Sequence, residues 1–418
     1  MNERTATRRG FLTGAVGMAG LAMVVAACGG QSTTPSQLAS TAAPAGATTA
    51  PAANHGGTTP APVASQAAGQ PTAANAPTVL LNGAGSTFDY PLFSKAFSEY
   101  TNAHPNVKVN YQSVGSGAGI QQLTKGTVDF GASDAPMTDQ QMRDAGGDVI
   151  HLPITLGAVS VAYNLPGIPE GVQMDGSTLA DIYLGTITSW NDAALVKLNP
   201  SAKLPNLPIA VVHRSDGSGT TDIFTTYLTT VSSTWKQKIG NGTAVNWPVG
   251  IGGKGSEGVS GQVKQTPGGI GYFELAYAKQ NSLTSAAINN GAGKYLLPSS
   301  DGASACAAGA AANLPADLRV RIAGCAGDAA YPISGFSWVL LHQKQTDPAK
   351  GEALANLMWW MIHDGQNYST NLFYAPLPAP VVKLDEEKLR SVSYQGKPLL
   401  VGASSAEISN TSQFDRLA

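Results

Sequence analysis

Alternation of apolar, strand-like runs with helix-like stretches from Val79 onward predicts an α/β fold. Three of the strand-like runs break into a turn of small residues and continue as a helix. They are Thr78-Val-Leu-Leu-Asn-Gly-Ala-Gly-Ser-Thr87, Val107-Lys-Val-Asn-Tyr-Gln-Ser-Val-Gly-Ser116 and Pro208-Ile-Ala-Val-Val-His-Arg-Ser-Asp-Gly-Ser-Gly-Thr220. In each, Gly stands with Ser or Thr where a helix begins, so unpaired backbone N–H groups and a positive dipole end face the turn. One such turn is weak evidence of a binding site, because Gly and Ser open ordinary helices. Three converging turns could replace most of an anion's hydration shell, and Arg214 lies inside one of them.

The chain has 418 residues, enough for more than one domain. Its net charge of −2 argues against a polyanion-binding surface, so no nucleic acid is expected. Residues 1–28 read as an export signal. Thr7-Arg8-Arg9-Gly10-Phe11-Leu12 resembles the twin-arginine pattern, and an uncharged apolar run follows from Phe11 to Ala27. The run is short for a membrane span and ends in Val25-Ala26-Ala27-Cys28, similar to a bacterial lipobox. On that reading Cys28 carries acyl chains such as palmitate, and two of them suffice for stable attachment. The competing reading is an uncleaved signal anchor. An extracytoplasmic location, tethered to the outer face of the cytoplasmic membrane, follows from the lipobox reading.

Residues 29–78 contain no Asp, Glu, Lys or Arg and are mostly Ala, Thr, Pro, Gly and Ser. Such a composition cannot bury enough apolar surface to offset its ordering entropy, which predicts a disordered linker spanning roughly 40 Å. Cys306 and Cys325 remain as an even pair, and an oxidising compartment favours a disulfide between them over two unrelated thiols. Helices are expected over Asp89–Tyr100, Ile120–Lys125 and Thr221–Leu228, behind the three turns. The stripe Leu354, Leu357, Met358 and Met361 predicts a further helix over Pro348–Asp364 with a core-facing side. Pro-rich Tyr374–Pro380 is expected to end the regular structure, ahead of a frayed polar tail.

Enzymatic readings fail on detail. No Ser has Gly two residues before and two after it, as a nucleophile elbow needs. Gly253-Lys254 lacks the remaining P-loop residues, and the His residues show no metal-ligand spacing. Gly250-Ile-Gly-Gly-Lys-Gly255 matches a dinucleotide fingerprint but follows Trp247-Pro248-Val249, a poor strand, and reads as a close-packed turn. No metal or cofactor is expected.

Asp134, in Val128-Asp-Phe-Gly-Ala-Ser-Asp-Ala-Pro136, is open to two readings. It is a turn cap before Pro136, or an acceptor inside an anion site. An acid there suits phosphate, which keeps an ionisable proton near neutrality, and repels fully ionised sulfate. Arg214 would supply a forked positive charge, with Asp216 either pinning it or lying at the surface.

Gly83-Ala-Gly-Ser-Thr-Phe88, Asp129–Pro136, Asp181-Ile-Tyr-Leu-Gly185, Arg214–Thr220, Trp247–Gly255 and Gly271–Lys279 together resemble the PstS family, the phosphate-binding components of phosphate-specific ABC importers. The resemblance runs from about Leu81 to Pro380. It implies a two-lobed, hinged α/β fold, a central cleft closing on inorganic phosphate, and no chemistry of its own. Residues 79–155 plus 331–385 would form one lobe, 156–330 the other, and 386–418 a C-terminal segment. Carried over, the phosphate ligands are Thr87, the Phe88 amide, Ser116 and Asp134 in one lobe. Arg214, Ser218, the Gly219 amide and Thr220 face them, with Asp216 in support. The implied partners are the permease and ATPase subunits, and a monomer is expected. The rival readings are a phosphoester hydrolase and a phosphate-sensing or adhesive surface lipoprotein. The resemblance leaves the Cys306–Cys325 segment and the tail beyond about Leu400 unexplained.

Overall fold

The computed structural model describes residues 77–311 and 314–400. Arg8, Arg9, Cys28, the linker up to residue 76 and the tail after Leu400 lie outside the described residues. In chain order the body begins with β1 (Val79–Gly85), α1 (Tyr90–Ala103), β2 (Val107–Ser113), α2 (Ser116–Thr124), β3 (Phe130–Ser133), α3 (Asp139–Asp144) and β4 (Val149–Tyr163). Next come β5 (Gln173–Met174), α4 (Gly176–Tyr183), α5 (Ala193–Leu198), β6 (Ala210–Arg214), α6 (Gly219–Val231) and α7 (Ser233–Lys238). β7 (Ile251–Gly253), α8 (Gly255–Gln265), β8 (Gly269–Glu274), α9 (Leu275–Gln280), β9 (Thr284–Ser285), β10 (Ala287–Asn289) and β11 (Tyr295–Leu296) follow. The body ends with α10 (Ser300–Ala310), β12 (Ser334–His342), α11 (Pro348–Ile362), α12 (Ala379–Arg390) and a hairpin of two-residue strands at 393–398.

The central sheet has the order β2-β1-β3-β12-β4-β8-β6-β7. β4 belongs to both of its halves. Val149–Ala158 pairs antiparallel with β12, and Val159–Tyr163 pairs antiparallel with β8. Fourteen of the fifteen β4 residues are buried, which explains its near-continuous apolar sequence. Within each half the strands that feed the small-residue turns run parallel, β1 beside β2 and β3, and β6 beside β7. In each half their carboxyl ends therefore open on one side, and the antiparallel pairings of β12 and β8 with β4 turn the two sets of ends toward each other, where α/β sheets bind ligands.

α1 buries Leu92, Phe93, Ala96, Phe97 and Tyr100, a stripe at helical spacing laid against the first half sheet. α11 buries Leu354, Leu357, Met358 and Met361, as their spacing predicts. Its observed span ends two residues before the expected Asp364. α2 begins at Ser116, four residues before the expected start, because Gly117 and Gly119 are used for close approach rather than as breakers. A Cβ on Gly119 would lie 2.5 Å from the Gly85 Cα and 2.7 Å from the Ala84 carbonyl oxygen.

Two expectations need correction. Regular structure does not stop at Pro380, since α12 starts at Ala379 with Pro380 in its first turn. Proline is tolerated there because that N–H has no helical partner. The stretch after Trp247-Pro248 is no mere turn, since it forms β7 and α8. β7 is short and glycine-rich, and its strand character comes from pairing with β6 through Val212–Arg214. Cys306 on α10 is bonded to Cys325, with their Cα atoms 5.5 Å apart.

Two glycines in helices separate packing from propensity. Gly119→Ala should destabilise the protein by about 1–3 kcal/mol, because strand backbone blocks the new methyl group. Gly261→Ala in α8, where nothing lies within 4 Å, should instead stabilise it by roughly 0.5–1 kcal/mol through helix propensity. Denaturant melts of both variants check the pair; equal signs would contradict this packing of α2.

Candidate functional site

Four strand ends, one more than the sequence suggests, deliver helix starts to the same place. β1 leads through Ser86-Thr87-Phe88 to α1, β2 leads to Ser116 at the first position of α2, and β6 ends at Arg214 before Ser218 caps α6. The fourth is β7, which leads to Gly255 and Ser256 at the start of α8.

Asp134 follows β3 and is 2% exposed. Its Oδ1 accepts from Ser337 Oγ at 2.8 Å and from Ser86 Oγ. Its Oδ2 has longer contacts, 3.5 Å each, from the hydroxyls of Ser116 and Thr220. Ser116 Oγ accepts the Asp134 N–H at 3.2 Å and the Gly219 N–H at 3.0 Å. Both lone pairs of that hydroxyl are then engaged, so its own proton must be given away. Burial pushes the Asp134 carboxyl up to about 6, against the lowering effect of the Ser86 and Ser337 hydroxyls and the Arg214 charge.

Arg214, 4% exposed, donates from Nε and Nη2 to the two oxygens of Asp216 at 2.8 and 2.5 Å. Asp216 Oδ1 also accepts from the Gly255 N–H at 3.0 Å. Burial acts to raise the Asp216 carboxyl, but the bonds and charge of Arg214 outweigh it and hold it below the usual range. The pinned guanidinium keeps three N–H groups for other acceptors, and its Nη1 lies 3.5 Å from Ser256 Oγ.

The two sides touch directly. Gly219 donates to Ser116, Gly117 N–H donates to the Gly217 carbonyl at 2.9 Å, and Tyr277 OH donates to the Thr87 carbonyl at 2.6 Å. Thr87 Oγ1 lies 3.0 Å from Ser256 Oγ and accepts the Ser256 N–H at 3.2 Å. A Cβ on Gly219 would sit 2.6 Å from the Asp134 Cβ, so only glycine permits this approach.

Thr87, Ser116, Asp134, Arg214, Asp216, Gly219 and Thr220 are thus brought together. Two expected ligands are engaged locally: the Phe88 N–H donates to Ser86 Oγ at 3.0 Å, and Ser218 Oγ accepts the Thr221 N–H at 3.1 Å. Ser86, Ser256 and Ser337 escaped the sequence reading. Ser86 lies in an identified turn and Ser256 in one set aside. Ser337 offers only a polar residue inside the buried strand Ser334–His342.

Because the folded-state pKa of Asp134 is raised from 3.8 to about 6, its burial costs stability that grows as pH rises through that window, is fully present above about pH 6 and disappears only below the unfolded value. Asp134→Asn should therefore stabilise the ligand-free protein at pH 8 by on the order of 1–3 kcal/mol, with a smaller gain at pH 5. Thermal melts at both pH values check the sign; a gain that is larger at pH 5 would contradict the burial of an ionised group.

The family model of the PBP superfamily domain matches residues 46–364. The phosphate-binding protein PstS of Xylella fastidiosa is 43% identical over 314 residues, covering 75% of this chain and 85% of the relative. PstS of Pasteurella multocida is 43% identical over 304 residues, covering 72% and 88%. In fold, the chain is similar to a crystal structure of a phosphate-binding protein from Stenotrophomonas maltophilia, with a TM-score of 0.58 at 18% identity, covering 77% of this chain and 96% of that one. The hydrolase reading falls with these relationships, since the homologues are named phosphate-binding proteins rather than enzymes. By sequence, the chain belongs to the PstS family of phosphate-binding proteins.

Proposed function

We propose that this protein binds inorganic phosphate in a cleft between two lobes, residues 79–155 plus 331–385 and residues 156–330. It then delivers the anion to the permease and ATPase subunits of a phosphate ABC importer. The observation that carries the reading is Asp134 Oδ2, a buried carboxylate oxygen with only long contacts, set among hydroxyls and helix N-termini that can only donate to an anion. Such an acid is a liability for sulfate and an asset for an anion that retains a proton.

In the bound state the phosphate P–OH donates to Asp134 Oδ2. The hydroxyls of Thr87, Ser116, Ser218 and Thr220 donate to the remaining oxygens. The Gly219 and Phe88 N–H groups exchange Ser116 and Ser86 for ligand oxygens. Arg214 gives its free fork while Asp216 holds the opposite edge. Phosphate and sulfate titration of the body by calorimetry tests the reading, and equal affinity for the two anions would end it.

Arg214→Ala should weaken phosphate binding by about 2–4 kcal/mol, mostly through faster release, and Arg214→Lys should recover only part because a point charge cannot fork. Binding within threefold of wild type would remove Arg214 from the site. Asp134→Asn should bring the phosphate-to-sulfate ratio toward unity, because the amide can donate to an oxygen that carries no proton. If Asp134 is only a turn cap, the ratio stays unchanged.

We propose also that residues 1–28 direct export and that acylated Cys28 tethers the mature protein to the outer face of the cytoplasmic membrane. The support is the Val25-Ala26-Ala27-Cys28 sequence and the uncharged linker behind it. Cys28→Ala should shift the protein from the detergent phase to the aqueous phase without altering phosphate affinity. Partitioning identical to wild type would count against lipidation.

A further inference from the structure

Behind Asp134 lies a second buried acid, Asp89, joined to it by one hydroxyl. Ser337 Oγ is 2.6 Å from Asp89 Oδ2 and 2.8 Å from Asp134 Oδ1. A serine hydroxyl has a single proton to donate. If both acids were ionised, one of these two oxygen–oxygen contacts would contain no proton and would be repulsive. The geometry therefore requires one more proton on the acid–serine–acid chain.

The neighbours show which acid holds it. Ser86 Oγ accepts the Phe88 N–H and gives its own proton to Asp134 Oδ1, so that oxygen is already an acceptor. Asp134 Oδ2 faces two further hydroxyls, with the Arg214 cation beyond. Asp89 is 1% exposed and its Oδ1 has no partner. Although Asp89 stands at the N-cap of α1, its side chain caps no N–H. The titratable groups around it are Asp134 after β3, Glu274 at the end of β8, Tyr111 on β2 and Tyr374 after α11. None of these is a cation. An orphaned carbonyl oxygen of a neutral acid is far less costly there than an orphaned carboxylate oxygen.

We infer that Asp89 is a carboxylic acid whose proton is donated to Ser337 Oγ, so that Ser337 donates to Asp134 and Asp134 stays free of a proton to accept the ligand's P–OH. Asp89 is thus a positioning residue for phosphate selectivity, and this rests on the reading of Asp134 as the ligand's acceptor. Burial and the Asp134 charge both push the Asp89 carboxyl well above the usual carboxylate range, in agreement. An ionised Asp89 would compete for the Ser337 proton and leave Asp134 to hold a proton itself, which would make it a donor.

Infrared spectroscopy of ligand-free protein at pH 8 tests where the proton lies. The stretch of a protonated carboxyl group should be lost in Asp89→Asn and retained in Asp134→Asn. Glu274 and Asp385, also buried with unpartnered oxygens, contribute equally to both variants. A spectrum unchanged by Asp89→Asn, or a band lost in Asp134→Asn, overturns the inference. In titrations, Asp89→Asn should keep the phosphate-to-sulfate ratio within about threefold, because its amide still donates to Ser337. Asp89→Leu, which cannot donate, should lower the ratio at least roughly tenfold. Equal ratios in the two variants would refute the positioning role. The infrared result needs no ligand, so a wild-type protein that bound neither anion would refute the phosphate reading and leave the assignment of the proton standing.

Discussion

A carboxyl group removed from water beside other acids is the constraint around which this site is built. Asp134 at 2% exposure would be a defect in an ordinary core, since a buried charge needs partners. Its neighbours meet that need asymmetrically. Oδ1 receives close hydroxyls from Ser86 and Ser337, whereas Oδ2 receives only the long contacts from Ser116 and Thr220. One oxygen is secured by the protein and the other is left for a ligand that brings a proton.

The positive side of the site is equally restrained. Among the described residues Arg214 is the one cation hydrogen-bonded into it, and Asp216 engages two of its five N–H groups. Little net charge remains to pull in anions at long range. Binding strength comes instead from oriented dipoles, the N-termini of α1, α2, α6 and α8 and the hydroxyls at their starts. Dipoles act over short distances and demand close approach, and the glycines provide it. Gly117 and Gly217 nearly touch across the cleft, and Gly219 lies against the backbone of Asp134. A side chain at any of these points would separate the donors from the acid.

The three turns were legible because their signal is local. An apolar run followed by Gly, Ser and Thr specifies a strand, a sharp turn and an unpaired helix start within about a dozen residues. The fourth turn was not legible. Ile251–Gly253 is too short and too glycine-rich to register as a strand, and it becomes one only by pairing with β6. Helix α12 was hidden for a related reason, since Pro380 reads as a breaker unless its position in the first turn is known.

The sequence alone determined the residue types at the helix starts, the acid and the arginine among them, and the pairing of Cys306 with Cys325. Each depends on neighbours close along the chain or on simple counting. Only the tertiary structure decided that β12, from the far end of the body, enters between β3 and β4 and sets Ser337 between Asp89 and Asp134. By sequence Asp89 is only the first residue of the expected helix Asp89–Tyr100. Its proton is a consequence of the distances from Ser337 to two acids that lie 248 and 203 residues earlier in the chain, and electrostatics depends on those distances rather than on order along the chain.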